Sequence, residues 1–502
     1  MAAAVASGRK PPWHDRLSRH LATRVSSLRP PSNVPFENPV RVLAQLNKKQ
    51  WLFFLVAFAG WTWDAFDFFT VSLTASEIAR SLNKTVTDIT WGITLVLMLR
   101  SVGAVIFGLL SDKYGRKWPF IANCALFVIF ELGTGFVQTY NQFLALRALF
   151  GIAMGGIYGN CAATALEDCP LHARGIVSGM LQQGYAFGYL LAVIFNRALT
   201  TTTSQGWRSL FWFGAAPPIL IIIFRLLLPE TEAYIAQKNM EGLSHKPAFT
   251  RMAKASFKSY WHIMIYLVVI MTGFNFMSHG SQDLYPTMLE VQLGFSANRR
   301  TVTMCVANLG AIAGGTLFGY ASNFVGRRLT IMIACILGGA LVYPWTFASN
   351  GGIIAAVFFL QFMVQGAWGV IPIYLSELSP APLRAFIVGL SYQLGNLASS
   401  AASTIEATLG MRFPLDTPAG ESIQRYDYGK VMAIFMGCVF GFVLIVTFFG
   451  PENRSGDLEV HGFENLVDDD EGQDDAEKNA QDDAEKNTPT HTFKDSYCIA
   501  RS

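Results

Sequence analysis

The chain has 502 residues, 52% of them hydrophobic and 15% charged, with a mean hydropathy of +0.34. Soluble domains carry nearer a quarter charged residues, so composition excludes an ordinary soluble protein. The formal net charge of +3 gives no ground for a nucleic-acid partner, and no nucleophile arrangement, nucleotide loop or metal-ligand spacing argues for an enzyme, a cofactor or a metal ion.

In chain order, residues 1–50 are rich in Arg and Pro and lack the apolar core of a signal peptide. They read as a disordered cytosolic tail, with a short amphipathic helix at the membrane surface over Asn38–Gln50. Apolar segments of the length needed to cross about 30 Å of hydrocarbon then recur. The expected spans are Trp51–Ala75, Thr90–Ser111, Trp118–Gln138, Gln142–Glu167, Ala173–Phe195 and Ser209–Leu228. After a polar cytosolic loop, 229–259, come Tyr260–Glu290, Arg300–Ser322, Arg327–Ala348, Gly352–Ser376, Leu383–Thr408 and Tyr428–Phe449. The fold class is an all-α membrane protein of twelve helices in two bundles, 51–228 and 260–450, followed by an acidic disordered tail, 451–502. The seven cysteines lie mostly in apolar runs and read as small packed thiols.

The halves repeat. Gly108 to Lys117 (GLLSDKYGRK) closes span 2, and Gly319 to Arg328 (GYASNFVGRR) closes span 8, 211 positions later. Glu167 and Arg174 follow span 4 seven apart, as Glu377 and Arg384 follow span 10. Pro229-Glu230 and Pro451-Glu452 end spans 6 and 12. Matched punctuation in register signals internal duplication. The motif resembles the GxxxDxxGR[KR] mark of the major facilitator superfamily, complete in the first copy and carrying Asn323 for the acid in the second. The resemblance covers about residues 50–452 and implies two six-helix bundles around a cavity that opens alternately to each side. Asp112, Arg116, Glu167, Arg174, Glu377 and Arg384 are then expected to form a cytosolic gate. The basic residues of the short loops and the N-terminal tail place both termini in the cytosol. Asn83, in an Asn-Lys-Thr sequon, then faces outside as a candidate glycosylation site.

Span 7 ends in NFMSHGSQDLYPT, Asn275 to Thr287. Asn275, His279, Asp283 and Thr287 are spaced by four and share a helix face. Pro286 cannot donate a hydrogen bond and frees the Gln282 carbonyl, so the helix is expected to bend where it lines a cavity. Ionisable residues at membrane depth are functional candidates. The alternative is a His279–Asp283 pair that only holds helices together. The stretch resembles the N-x-x-[ST]-H-x-[ST]-Q-D-x-x-x-T signature of the Jen family of fungal carboxylate:proton symporters, within the sialate:proton symporter branch of the superfamily. Arg100 to Gly108 and Ser391 to Asn396 resemble that family's spans 2 and 11. The resemblance implies binding and translocation roles for Arg100, His279, Asp283, Gln393 and Asn396, with Asn275 in the same stripe.

Chemistry agrees with an anionic solute. Small carboxylates are ionised at neutral pH, and a guanidinium such as Arg100 offers one carboxylate two parallel donors. Gln393 and Asn396, three apart, present amides on one face, and Gln182 and Gln183 add polar capacity in span 5. Proton carriage falls to Asp283 and His279, then to Asp64 and Asp67 in span 1. A proton on Asp283 or Asp67 is expected to leave Arg100 free for the anion. Glu131 and Arg147 are further intramembrane charges. The expected function is a plasma-membrane, multi-pass symporter importing lactate, pyruvate, succinate or malate with protons. The alternatives are a sugar or sialate:proton symporter, or a nutrient sensor that does not transport. Lys478, Lys486 and Lys494, in the acidic tail with its repeated QDDAEKN, are candidate ubiquitin acceptors.

Overall fold

The computed structural model describes residues 22–30, 37–84, 86–200, 202–242, 248–348, 351–380, 383–410, 412–415 and 425–452. The acidic tail, its lysines and Cys498 lie outside these residues.

All twelve expected spans are helical. Spans 1 to 3 are Lys48–Ser81, Val86–Tyr114 and Lys117–Thr134. Span 4 is Tyr140–Gly155 continued by Ile157–Leu166, and span 5 is Arg174–Gln182 continued by Gly184–Leu199. Span 6 is Trp207–Leu227. The second set runs Ala248–Gln282, Ala297–Val325, Arg327–Phe347, Gly352–Leu378, then Arg384–Ser399 with Ala402–Gly410, and Tyr428–Phe449. Nine helices among the described residues are long and apolar enough to cross a membrane by themselves. The other three spans are span 3, which carries Lys117 and Glu131 within 18 residues, and the interrupted spans 5 and 11.

Local chemistry sets the ends. Asn47 accepts from the Gln50 amide at 2.8 Å while the Gln50 side chain takes the Asn47 amide at 2.9 Å, a reciprocal cap that starts span 1. Thr139 and Gln142 repeat the device at span 4. Asp427 accepts from the Lys430 amide at the start of span 12. Span 1 stops at Leu82, and Asn83 follows with a φ of +52°. Asparagine tolerates that left-handed position better than most residues. Asn83 is exposed at the end opposite the termini; Thr85 of its sequon lies outside the described residues.

Two segments depart from expectation. Asn38–Gln50 is a short helix, Pro39–Ala44, followed by the first turn of span 1 rather than one amphipathic helix. Within the tail expected to be disordered, residues 22–30 are ordered. Arg24 is buried and donates to the Gly450 carbonyl, while Arg328 donates to Ser27 Oγ at 2.8 Å. The reason is the open row of carbonyls at the end of span 12, which these arginines satisfy. The central segment also contains a helix, Glu232–Gly242, and its last residues extend span 7. Asp168 holds the start of Glu232–Gly242 by accepting from the amides of Glu232 and Ala233. Burial pushes the Asp168 carboxyl up, and those two amides act against the shift.

The bundles meet along span 2 with span 11 and span 5 with span 8. Glycine permits the approach: a Cβ at Gly179 would lie 2.5 Å from the Gly315 carbonyl oxygen, and one at Gly108 would lie 2.7 Å from the Phe386 Cα. Among the described cysteines none is paired, and Cys124, Cys161, Cys169 and Cys335 are buried.

Candidate functional site

Span 7 breaks where the proline foretells. The helix ends at Gln282, a short turn Tyr285–Thr287 carries Pro286, and a π-helical turn, Met288–Gln292, follows. His279 Nδ1 lies 2.9 Å from Asp283 Oδ2 and His279 Nε2 lies 3.3 Å from Asn396 Oδ1. Asn396 in turn donates to Gln393 Oε1 at 3.0 Å. Spans 7 and 11 thus share one polar chain, Asp283–His279–Asn396–Gln393. Both imidazole nitrogens face acceptor oxygens, an arrangement that a protonated ring satisfies in full. Asp283 is partly exposed, its side chain 33% accessible, whereas His279 is buried. Asn275 donates to the Met271 carbonyl at 2.8 Å and reaches the Tyr392 carbonyl at 3.4 Å, tying span 7 to span 11.

Facing this chain, Arg100 is buried in span 2 and donates to Asp64 Oδ2 at 2.6 Å. Its guanidinium also stands 5.4 Å from the Phe68 ring centre. Arg100, Gln182, Asn275, His279 and Asn396 line one small polar pocket between the bundles, with Tyr392 and Trp368 closing its wall. Arg100 Nε and Gln393 Nε2 are buried donors without a protein partner, and the second oxygen of Asp64 is a buried acceptor without one. Buried polar atoms are ordinarily paired, so unpaired donors here suit an occupant with acceptor oxygens.

Two expected pairings are redrawn. Arg100 is held by Asp64, so protonating Asp283 or Asp67 is not what would free it; the partner must come from span 1, whose side chains at this depth touch span 2. Asp67, three residues on, points elsewhere, because three residues advance a helix by 300° and leave the two carboxyls about 60° apart. Asp67 packs against Gly214, is fully buried, and faces the Glu131–Arg147 ion pair, itself closed at 3.0 Å. Of the two span-5 glutamines, Gln182 lines the cavity, whereas Gln183 is pressed against Gly315 of span 8.

Below the cavity, toward the termini, Tyr158 stacks on Tyr392 with ring centres 4.1 Å apart. Trp61 and Trp368 meet this pair edge-on. Two of these rings come from each bundle, and they form an apolar floor. Further down, Arg116 bonds Asp112 and takes Glu167 through two nitrogens at 2.7 and 3.2 Å. Arg327 takes Glu377 at 2.8 and 3.1 Å. Across the bundles, Asp112 accepts from the amides of Ala385 and Phe386 at 3.1 and 2.8 Å. Arg384 approaches Glu167 at 3.7 Å, and Glu377 lies in the field of Arg174. Each acid is thus bonded within its own half and also lies near a base of the other half, Glu167 near Arg384 and Glu377 near Arg174. The side bearing the termini is closed.

Sequence reasoning missed Tyr158, Tyr392 and the Asp64–Arg100 match. Tyr392 lay inside the quoted Ser-Tyr-Gln stretch, and a lone tyrosine at a tyrosine's usual depth gave no signal.

Two six-span bundles, duplicated gate motifs and a polar cavity at their interface define a transporter of the major facilitator fold. Residues 50–461 match the model for the sugar (and other) transporter family. The carboxylic acid transporter protein homolog of Saccharomyces cerevisiae is 44% identical over 461 residues, 88% of this chain and 75% of that protein. The cis,cis-muconate transport protein of Acinetobacter baylyi is 26% identical over 71% of this chain and 86% of its own length. The solved proton:xylose symporter XylE of E. coli superposes with a TM-score of 0.66 at 17% identity, covering 83% of this chain and 99% of its own. This chain belongs to the sugar (and other) transporter family and, within it, to the Jen family that its span-7 motif resembles.

Proposed function

We propose that this protein is a proton-coupled symporter that brings short-chain carboxylates such as lactate, pyruvate, succinate or malate across the plasma membrane by alternating access, with both termini cytosolic. The observation that carries the reading is one pocket lined by Arg100, which is bonded to Asp64, and by His279 and Asn396 of the Asp283–His279–Asn396–Gln393 chain. An ion pair at low dielectric is strong, and breaking it leaves an uncompensated charge. A proton on Asp64 would remove that charge and release the guanidinium for a substrate carboxylate. Gln393 and Asn396 would then donate to the substrate's second polar group. Asp283, reachable by water, and His279 would take the external proton, with Asp67 as a further carrier. The loaded site is nearly neutral and can rock past the aromatic floor. The gate of Asp112, Arg116, Glu167, Arg174, Glu377 and Arg384 would open to let the pair leave.

The relatives support a carboxylate, since the yeast protein is named for carboxylic acids and the Acinetobacter protein for a dicarboxylate. Uptake of labelled lactate, pyruvate and succinate in a transporter-null yeast, from pH 4 to 7, tests the proposal. Accumulation that rises as external pH falls supports it, and no carriage of any of these solutes across that range sinks it. Competition by xylose or sialate, but not by lactate or succinate, would favour a sugar or sialate symporter. Asp283→Asn is expected to abolish the pH dependence while the protein still reaches the cell surface, scored by surface labelling beside uptake.

A further inference from the structure

Ten residues beyond Asn396, the second segment of span 11, Ala402–Gly410, carries Glu406. Its side chain is fully buried, and neither carboxyl oxygen has a hydrogen-bond partner. The segment packs against spans 7 and 12. From span 7 the charge that reaches Glu406 is Asp283, which is itself bonded to His279. From span 12, Lys430 lies over the Phe413 ring, and Asp427 is engaged by Gln292 and the Lys430 amide. Among the described residues, Glu406 therefore has an acid in its field and no cation bonded to it. A carboxylate so placed has nothing to balance its lost hydration, and two neighbouring carboxyls do not both ionise readily. The neutral acid is the form that fits this conformation.

We propose that Glu406 is a proton-carrying residue of the transport cycle, standing behind Asp283 as the buried partner of a two-carboxyl proton store. The inference rests on the symport reading above. Asp283 is partly exposed and Glu406 is fully buried, so the proton enters at Asp283 and moves to Glu406. Asp283 is thereby left ionised and paired with His279 while the cavity fills. One proton bound to the pair leaves one negative charge, shared between a wet site and a dry one. The step takes a proton from an Asp283 carboxyl oxygen to a Glu406 carboxyl oxygen; neither Glu406 oxygen has a hydrogen-bond partner in this conformation, so the transfer runs through a bridging water or after a change of rotamer.

Purified full-length protein in proteoliposomes, with an imposed pH gradient and labelled lactate or labelled succinate, provides the test. Proton entry is read from a trapped pH dye in the same vesicles. Glu406→Gln keeps the shape of a neutral acid but cannot release a proton. It should lose gradient-driven accumulation and lower the proton-to-solute ratio, while lactate–lactate or succinate–succinate exchange persists. Glu406→Asp keeps a carboxyl in a shifted place and should accumulate solute with an altered pH profile. Wild-type accumulation, proton ratio and pH profile in both variants overturn the proposal and leave Glu406 a neutral packing group. Failure of the unaltered protein to move protons with either solute overturns the symport reading itself, and this inference with it.

Discussion

The two copies of the gate motif part at its acidic position, Asp112 against Asn323, and each residue suits the group that it meets. Asp112 reaches across to the first amides of span 11, which are donors, and a carboxylate accepts from both Ala385 and Phe386. Asn323 reaches across to the chain before span 5 and meets the His172 carbonyl, an acceptor, to which it donates at 2.8 Å. Its own carbonyl oxygen still takes Arg327 at 2.9 Å. The missing acid in the second copy is therefore a change of hydrogen-bond sense rather than a decayed motif. Pseudo-symmetry fixes where a side chain points, and the partner backbone decides what it must be.

Truncation should break the comparison most visibly. Asp112→Ala strips Arg116 of one partner and leaves two amides without an acceptor, a loss of about 3–5 kcal/mol by analogy with other buried ion pairs. The seal on the side of the termini should fail, read as maleimide labelling of Cys169, which is otherwise buried. Asn323→Ala should raise that labelling less; equal effects would show that the two copies carry the same load. Gly179→Val forces a side chain against the Gly315 carbonyl, and overpacking of this kind costs about 1–3 kcal/mol. It should lower thermal stability in detergent and favour separation of the bundles on that side. Asn323→Asp removes the donor to His172 while adding charge beside Arg327, and a buried carbonyl left unpaired costs about 1–3 kcal/mol. Part of that loss should be recovered through Arg327, so a melting shift smaller than that of Gly179→Val is expected. Smallest are Glu230→Gln and Glu452→Gln, each removing a negative charge from the amides that open spans 3 and 9. Each should cost about 0.5–1 kcal/mol, as charges at helix starts do. A clear inequality between them would mean that the halves differ here too.

Much of this architecture was legible in advance. Span lengths follow from bilayer thickness, and the Pro286 break follows from a missing N–H. The crosswise gate was half legible: the duplicated spacing named Glu167, Arg174, Glu377 and Arg384, but only packing shows that Glu167 is shared between Arg116 and Arg384. Other features were hidden for a physical reason. A helix that is apolar nearly all round has no polar face to set its rotation, so the sequence could not tell that Asp64 faces Arg100 while Asp67 faces span 6. Glu406 escaped because it lies ten residues beyond the Ser391–Asn396 stretch that carried the resemblance. The ordering of residues 22–30 depends on carbonyls exposed some 420 positions away, a contact that no local pattern announces.

The stacked Tyr158 and Tyr392, with Trp61 and Trp368 around them, have a consequence for leakage. A carrier that runs on an ion gradient works as a circuit, and any conducting thread of water through it is a short. Rings packed from both bundles fill the space between them with aromatic faces, which a continuous file of water would first have to part. On the proton-coupled reading proposed above, insulation of this kind would oblige charge to cross with the moving bundle, so that the gradient is drawn down only when cargo is moved.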